Sequence, residues 1–199
     1  MSNKKLENKR LQSTKKYLDN LQERYSKLNI IRNDLYYDKQ FSKDITLEEA
    51  NKDLERLFNN TRSKPTIFKN IVGHVVKREY TKDKGVHIHA LFIFDGQKVH
   101  KDKLKAKQIG EYWSKEITKS KGAYHNCNMN EYKQSGVGIL DYKDENKREI
   151  LDEMVISYLC KDEQKIEDIK IDSKKKDRSF TRGIISKKKS NSGRPRKEL

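Results

Sequence analysis

Three side chains suited to holding a metal ion or a proton, Glu79, His87 and His89, fall within the single stretch EYTKDKGVHIH. Gly73 to Glu79 (GHVVKRE) and Val86 to Phe94 (VHIHALFIF) are rich in β-branched and aromatic residues, and the polar loop Thr81 to Gly85 between them predicts a β-hairpin. Pairing Tyr80 with Val86 puts Glu79 opposite His87 and Lys77 opposite His89, with opposed Cβ atoms about 5 Å apart. The strand period of two points His87, His89, Leu91 and Ile93 one way, and Ile88, Ala90, Phe92 and Phe94 the other. Both faces are mainly apolar, so this strand is expected to be central and covered. Imidazoles there lose solvation, and a divalent cation held by Glu79, His87 and His89 would compensate. Hydrogen bonds to the backbone, or to Glu79 alone, would also do so.

A second stretch with chemical potential is KREILDEMVISYLCKDEQK, from Lys147 to Lys165. Ile150, Leu151, Met154, Val155 and Tyr158 form one helical stripe. Lys161 and Asp162 follow Tyr158 by three and four residues and flank it on the helix surface. If this helix packs on the sheet face carrying Glu79, His87 and His89, a phenol, an ammonium and a metal converge on one phosphate. Otherwise Tyr158 is an amphipathic core residue with its hydroxyl at the rim.

The elements that must position these residues are legible in outline. Leu11, Leu18, Leu21, Tyr25 and Leu28 recur at helical spacing within a basic N-terminal segment, which predicts an amphipathic helix docked on the domain. Leu28 to Tyr37 (LNIIRNDLYY) reads as the first strand. Thr46-Leu47-Glu48-Glu49 is a capping box opening a helix with Leu47, Ala50, Leu54, Leu57 and Phe58 on one face, and that helix stops before Pro65. After the hairpin, a helix is expected from about Lys101 to Thr118, burying Trp113 against the sheet. Short strands are expected over Ala123 to Met129 and Gly136 to Tyr142. The fold class is thus α+β, a central antiparallel sheet of about five strands flanked by helices.

Of the 199 residues only 33% are hydrophobic and 38% are charged, more charge than a globular domain needs. The net charge of +16 points to a polyanionic partner, nucleic acid foremost, because basic clusters gain affinity by neutralising phosphates. The organisation predicted is a basic helical extension over 1–27, a domain over 28–172, and a basic, disordered tail over 173–199. That tail holds eleven Lys and Arg against Asp177 and Glu198, a net +9 and over half the total. Phe180 to Ile185 stands out in it as an anchored island. No apolar run approaches the roughly 20 residues that span a bilayer, and MSNKKLENKR lacks a signal-peptide core, so no membrane partner and a cytoplasmic location are expected. Cys127 and Cys160 form no C-x-x-C motif and fit a reducing compartment as small buried side chains.

Glu79, the G-V-H-I-H of Gly85 to His89, and Tyr158-Leu159-Cys160-Lys161-Asp162 resemble, in order and local spacing, the metal and Y-x-x-K-D motifs of HUH-superfamily replication initiators. The span from about Leu28 to Phe180, with GVHIHALFIFDGQKVH, IGEYW, YHNCN and GVGILDY, looks like the inovirus-type replication protein domain, also called the YagK/YfjJ type. The resemblance implies an HUH endonuclease fold of ferredoxin or RRM-like kind. It also implies a metal site at Glu79, His87 and His89 for Mg²⁺ or Mn²⁺, a nucleophile at Tyr158 and an auxiliary cation at Lys161. The mixed N/O ligand set admits Zn²⁺ as well, but phosphoryl chemistry favours the harder ions.

The function expected from it is single-stranded DNA nicking and joining through a 5′-phosphotyrosine, initiating rolling-circle replication of a phage, plasmid or related mobile element. Single-stranded or hairpin origin DNA is the expected partner, with a separate host helicase, since no Walker A motif is present, and a DNA polymerase. The alternatives are a non-catalytic origin- or promoter-binding regulator of the same fold, or a single-tyrosine transposase or relaxase.

Overall fold

Alternating apolar residues in the two runs around Thr81 to Gly85 pair as a central hairpin in the computed structural model, which describes residues 3–81, 83–161 and 179–185. In chain order the elements are α1 (Asn3–Arg24), β1 (Lys27–Tyr37), α2 (Leu47–Asn59), the single turn α3 (Pro65–Phe68), β2 (Ile71–Thr81), β3 (Gly85–Asp95) and α4 (Asp102–Tyr112). A π-helical turn over Trp113–Ile117 extends α4, and β4 (Gly122–Asn126) and β5 (Gly138–Asp141) follow. Next, α5 (Glu145–Ile150) runs through a π-helical stretch over Leu151–Ile156 into α6 (Ser157–Cys160), and β6 (Phe180–Arg182) comes last.

The sheet is antiparallel, in the order β4-β1-β3-β2-β6. Two short strands share the outer edge of β1, β4 along Asn33 to Tyr37 and β5 along Lys27 to Ile30. This is the expected α+β class, with six strands among the described residues in place of about five. The added one is β6, the island Phe180 to Arg182, whose Phe180 pairs with Lys77. The strand expected over Ala123 to Met129 ends at Asn126, because the Asn126 side chain accepts a hydrogen bond from the Asn128 N–H at 3.1 Å and turns the chain.

Helices cover both faces of the sheet, so two cores form. On one face Ile31, Leu35, Val76, Ile88, Phe92 and Phe94 pack against α2, α3 and α4. Trp113 is fully buried there, edge-on to Tyr37, and its Nε1–H donates to the Tyr36 carbonyl at 3.2 Å. On the other face Leu28, Ile30, Val75, Leu91 and Ile93 meet α1 and the α5 to α6 helix. The N-terminal helix thus docks as its pattern predicts, burying Tyr17, Leu18 and Leu21. Tyr17 enters between β2 and the chain after β6, where a Cβ on Gly73 or Gly183 would collide with its hydroxyl.

The capping box of α2 is formed: the Glu49 N–H donates to Thr46 Oγ1 at 3.1 Å, and the Thr46 N–H donates to Glu49 Oε2 at 2.9 Å. Thr46→Ala is therefore expected to cost about 1 kcal/mol of stability, read as a lower urea midpoint at unchanged slope. An unchanged midpoint would show that tertiary packing alone holds the start of α2.

Candidate functional site

Strand parity collects the polar residues on the α1 side of the sheet. Leu28, Ile30, Arg32, Asp34 and Tyr36 of β1 share that face with His87, His89, Leu91 and Ile93 of β3 and with Val75, Lys77 and Glu79 of β2. One half of the face is apolar and covered by helices; the other half is polar. A cross-sheet row of paired residues runs from His125 on β4 through Asp34, His89 and Lys77 to Phe180 on β6. Glu79 pairs with His87 one step along, so the hairpin register is the one the sequence predicts.

His89 is the centre of this cluster. Its Nδ1 lies 2.7 Å from Asp34 Oδ1, and its Nε2 lies 3.0 Å from Glu79 Oε2 and 3.4 Å from the Tyr158 hydroxyl. The other oxygen of Glu79 receives the Lys77 ammonium. Glu79, Lys77 and His89 are all buried. Burial opposes charge on Glu79, but hydrogen bonds from His89 and Lys77 outweigh it and bring the carboxyl down to about 2. Asp34 is lowered against burial in the same way, chiefly by His89. For His89 burial disfavours the imidazolium, yet the bonds to Asp34 and Glu79 raise its pKa. His87 goes the opposite way, lowered by burial and then by the charge of His89. Its ring stacks on Tyr36 with centroids 5.2 Å apart and planes 2° from parallel.

The Tyr158 helix packs on this face, and Tyr158 itself is 37% exposed at the rim of the polar half. Its ring stands edge-on to His89, centroids 5.3 Å apart. Two cations lie over that ring, the Arg32 guanidinium at 5.1 Å and the Lys77 ammonium at 5.4 Å from its centroid. Lys161 is exposed just beyond α6, where its backbone N–H donates to the Tyr158 carbonyl at 3.3 Å. Asp162 and the remainder of the expected helix to Lys165 lie outside the described residues, as does most of the 173–199 tail.

Arg32 and Asp34 are the site residues that motif reading passed over. Their signal was present in the alternation of LNIIRNDLYY, which places them on the face of Leu28 and Ile30. Asn33 turns to the opposite face, where its Nδ2 donates to the Ala106 carbonyl at 2.9 Å. Burial pushes the thiols of Cys127 and Cys160 up to about 12 and about 11, which keeps both protonated and inert.

The donors at hand suit a divalent cation in kind. Glu79 is ionised, and His87 is a neutral imidazole whose Nδ1 is buried without a partner. Asp34 on Nδ1 of His89 fixes the ring with Nε2 turned to Glu79 and Tyr158, the way an outer carboxylate orients a metal-binding histidine. Among the described residues no group of three or more His, Cys, Asp or Glu side chains is arranged as a finished metal cage. In the conformation described, Lys77 and His89 satisfy Glu79.

Fold and site together define a three-layered α+β domain, helices on both faces of an antiparallel sheet, with a tyrosine set against a histidine and carboxylate cluster. The chain belongs to the YagK/YfjJ C-terminal domain family, whose model matches residues 1–182 and so takes in α1 and β6. No curated protein and no solved structure matches it. Among the described residues no helix is long and apolar enough to cross a membrane.

Proposed function

We propose that this chain is a metal-dependent enzyme that nicks and rejoins single-stranded DNA through Tyr158, initiating rolling-circle replication of a phage, plasmid or related mobile element. The observation that carries the reading is the Tyr158 hydroxyl 3.4 Å from His89 Nε2, brought there from 69 residues away along the chain. Phenol, imidazoles, carboxylates and cations then share one rim of a strongly basic protein.

In this reading the Tyr158 oxygen attacks phosphorus in line with the 3′ oxygen. The O–P bond to tyrosine forms as the P–O3′ bond breaks; the phenol gives up its proton and the leaving 3′ oxygen takes one. The 5′-phosphotyrosine keeps the bond energy for rejoining, and the free 3′-OH serves a polymerase as primer. Glu79, His87 and His89 would hold Mg²⁺ or Mn²⁺, which when bound polarises the phosphodiester. Asp34 keeps the His89 ring oriented, while Lys77 and Arg32 fix the plane of the Tyr158 ring. Lys161 is assigned the auxiliary charge that favours the developing oxyanion.

The test is incubation of the full chain with circular single-stranded origin DNA and Mn²⁺, followed by denaturing electrophoresis. A protein–DNA adduct that EDTA prevents is expected. Its absence on the chain's own origin would overturn the enzyme reading. The closed network of Lys77, Glu79, His89 and Asp34, in which each charged group meets an opposite partner, favours one second reading, a DNA-binding regulator. That protein would bind the same DNA equally well with or without Mn²⁺ and form no adduct.

A further inference from the structure

Arg32 is mounted more rigidly than a surface cation. Its backbone N–H donates to Asn128 Oδ1 at 2.8 Å, and the Asn128 side chain in turn donates to the Ile30 carbonyl at 3.0 Å and to Asp102 Oδ2 at 2.9 Å. The side chain leaves β1 at the boundary between the apolar and polar halves of the sheet, where Arg32 pairs with Leu91. Its guanidinium lies over the Tyr158 ring at 5.1 Å and meets Asp34 at 3.5 Å, too long for a strong hydrogen bond. Nε is buried with no partner. A buried guanidinium nitrogen that leaves its donor unsatisfied is unfavourable unless an acceptor arrives.

The acceptor that fits is a phosphodiester. Its two non-bridging oxygens match the planar fork of arginine donors, and the fork is specific for such anions in a way an ammonium is not. The other cation on the ring, Lys77, is already engaged with Glu79.

We propose that the Arg32 guanidinium binds the non-bridging oxygens of the phosphodiester presented to Tyr158, making Arg32 a catalytic residue alongside the tyrosine. The catalytic part of this assignment rests on the nicking reading above; the anion contact does not. As the Tyr158 O–P bond forms and the P–O3′ bond breaks, charge gathers on those same oxygens, so the contact strengthens toward the transition state.

The contact is tested on the full-length protein by the ¹H–¹⁵N resonance of Arg32 Nε–H, identified by its loss in Arg32→Lys. The probes are the dinucleotide dTpdT and its uncharged methylphosphonate analogue. The Arg32 signal is expected to move and saturate with dTpdT and to stay in place with the analogue. Arg32→Lys is expected to weaken dTpdT binding about 10-fold and to slow adduct formation on origin DNA about 100-fold. A signal unmoved by saturating dTpdT, or moved equally by the neutral analogue, overturns the proposal. Adduct formation by Arg32→Lys at the wild-type rate also overturns it, while leaving the nicking reading intact. A responsive Arg32 signal in a wild-type protein that forms no adduct supports the phosphodiester contact and removes the nicking reading instead.

Discussion

Tyr158→Phe is expected to form the covalent DNA adduct at least about 10³-fold more slowly than wild type while binding the same single strand with unchanged affinity and salt dependence. The substitution removes one oxygen and keeps the ring under Arg32 and Lys77. Tyr158 is 37% exposed at the rim of the site, so unfolding should change by no more than about 0.5 kcal/mol. On the proposed function, affinity would come instead from the many phosphate contacts open to a chain of net charge +16. The pair of measurements separates chemistry from binding. An adduct that persists in Tyr158→Phe would move the nucleophile to another residue, and parallel loss of binding would make Tyr158 a docking residue.

The second large effect is at Glu79. Glu79→Gln keeps the shape of the side chain but leaves the buried Lys77 ammonium, 4% exposed, without its counter-charge. A loss of about 3 kcal/mol at pH 7 is expected by chemical denaturation. The pH dependence follows from the same contact. The folded Glu79 carboxyl, at about 2, lies below its ordinary value of 4.5, so the folded state favours the ionised form. That stabilisation is present above pH 4.5 and is lost as the pH falls from 4.5 toward about 2. In Glu79→Gln this acid limb should flatten. An acid limb as steep as in wild type would show that Glu79 does not carry it.

Glu79 also tests the metal assignment without any catalytic assay. A ligand that binds only the folded protein raises its stability by about 2.7 kcal/mol at one hundred times its dissociation constant. Mn²⁺ should therefore raise the melting temperature of the wild-type chain and leave that of Glu79→Gln unmoved. An equal response in both would remove Glu79 from the ligand set.

Much of this site was readable because hairpin geometry is local. Five residues separate Tyr80 from its partner Val86, so the turn fixes the register and with it the pairing of Glu79 with His87 and of Lys77 with His89. The Tyr158 stripe was legible only in part: Leu151 and Val155 are buried as its spacing predicts, but Met154 is 64% exposed, because the π-helical stretch over Leu151–Ile156 shifts the helical phase and turns Ile156 and Leu159 inward instead. The partners of His89 on β1 were not local. Asp34 and His89 are 55 residues apart, and which residue of β1 faces which residue of β3 depends on two helices and a hairpin turn between them. Period two assigns Arg32 and Asp34 to a face, but no rule of spacing chooses that face over the one carrying Asn33. The segment Phe180 to Arg182 had a similar fate: its apolar character was visible inside a basic tail, and its place as the sixth strand was not.

By itself the sequence determined most of the secondary elements, the hairpin register, the burial of Trp113 and the order of the chemically competent residues, because each depends on neighbours within a turn or a few residues. The tertiary structure alone decided that the Tyr158 helix packs on the apolar half of this face and sets Tyr158 beside His89 at the rim of the polar half. It also brought Arg32 and Lys77 over the Tyr158 ring. Those contacts are made across strands and layers, where the packing of two apolar cores, rather than any local spacing, sets the distances.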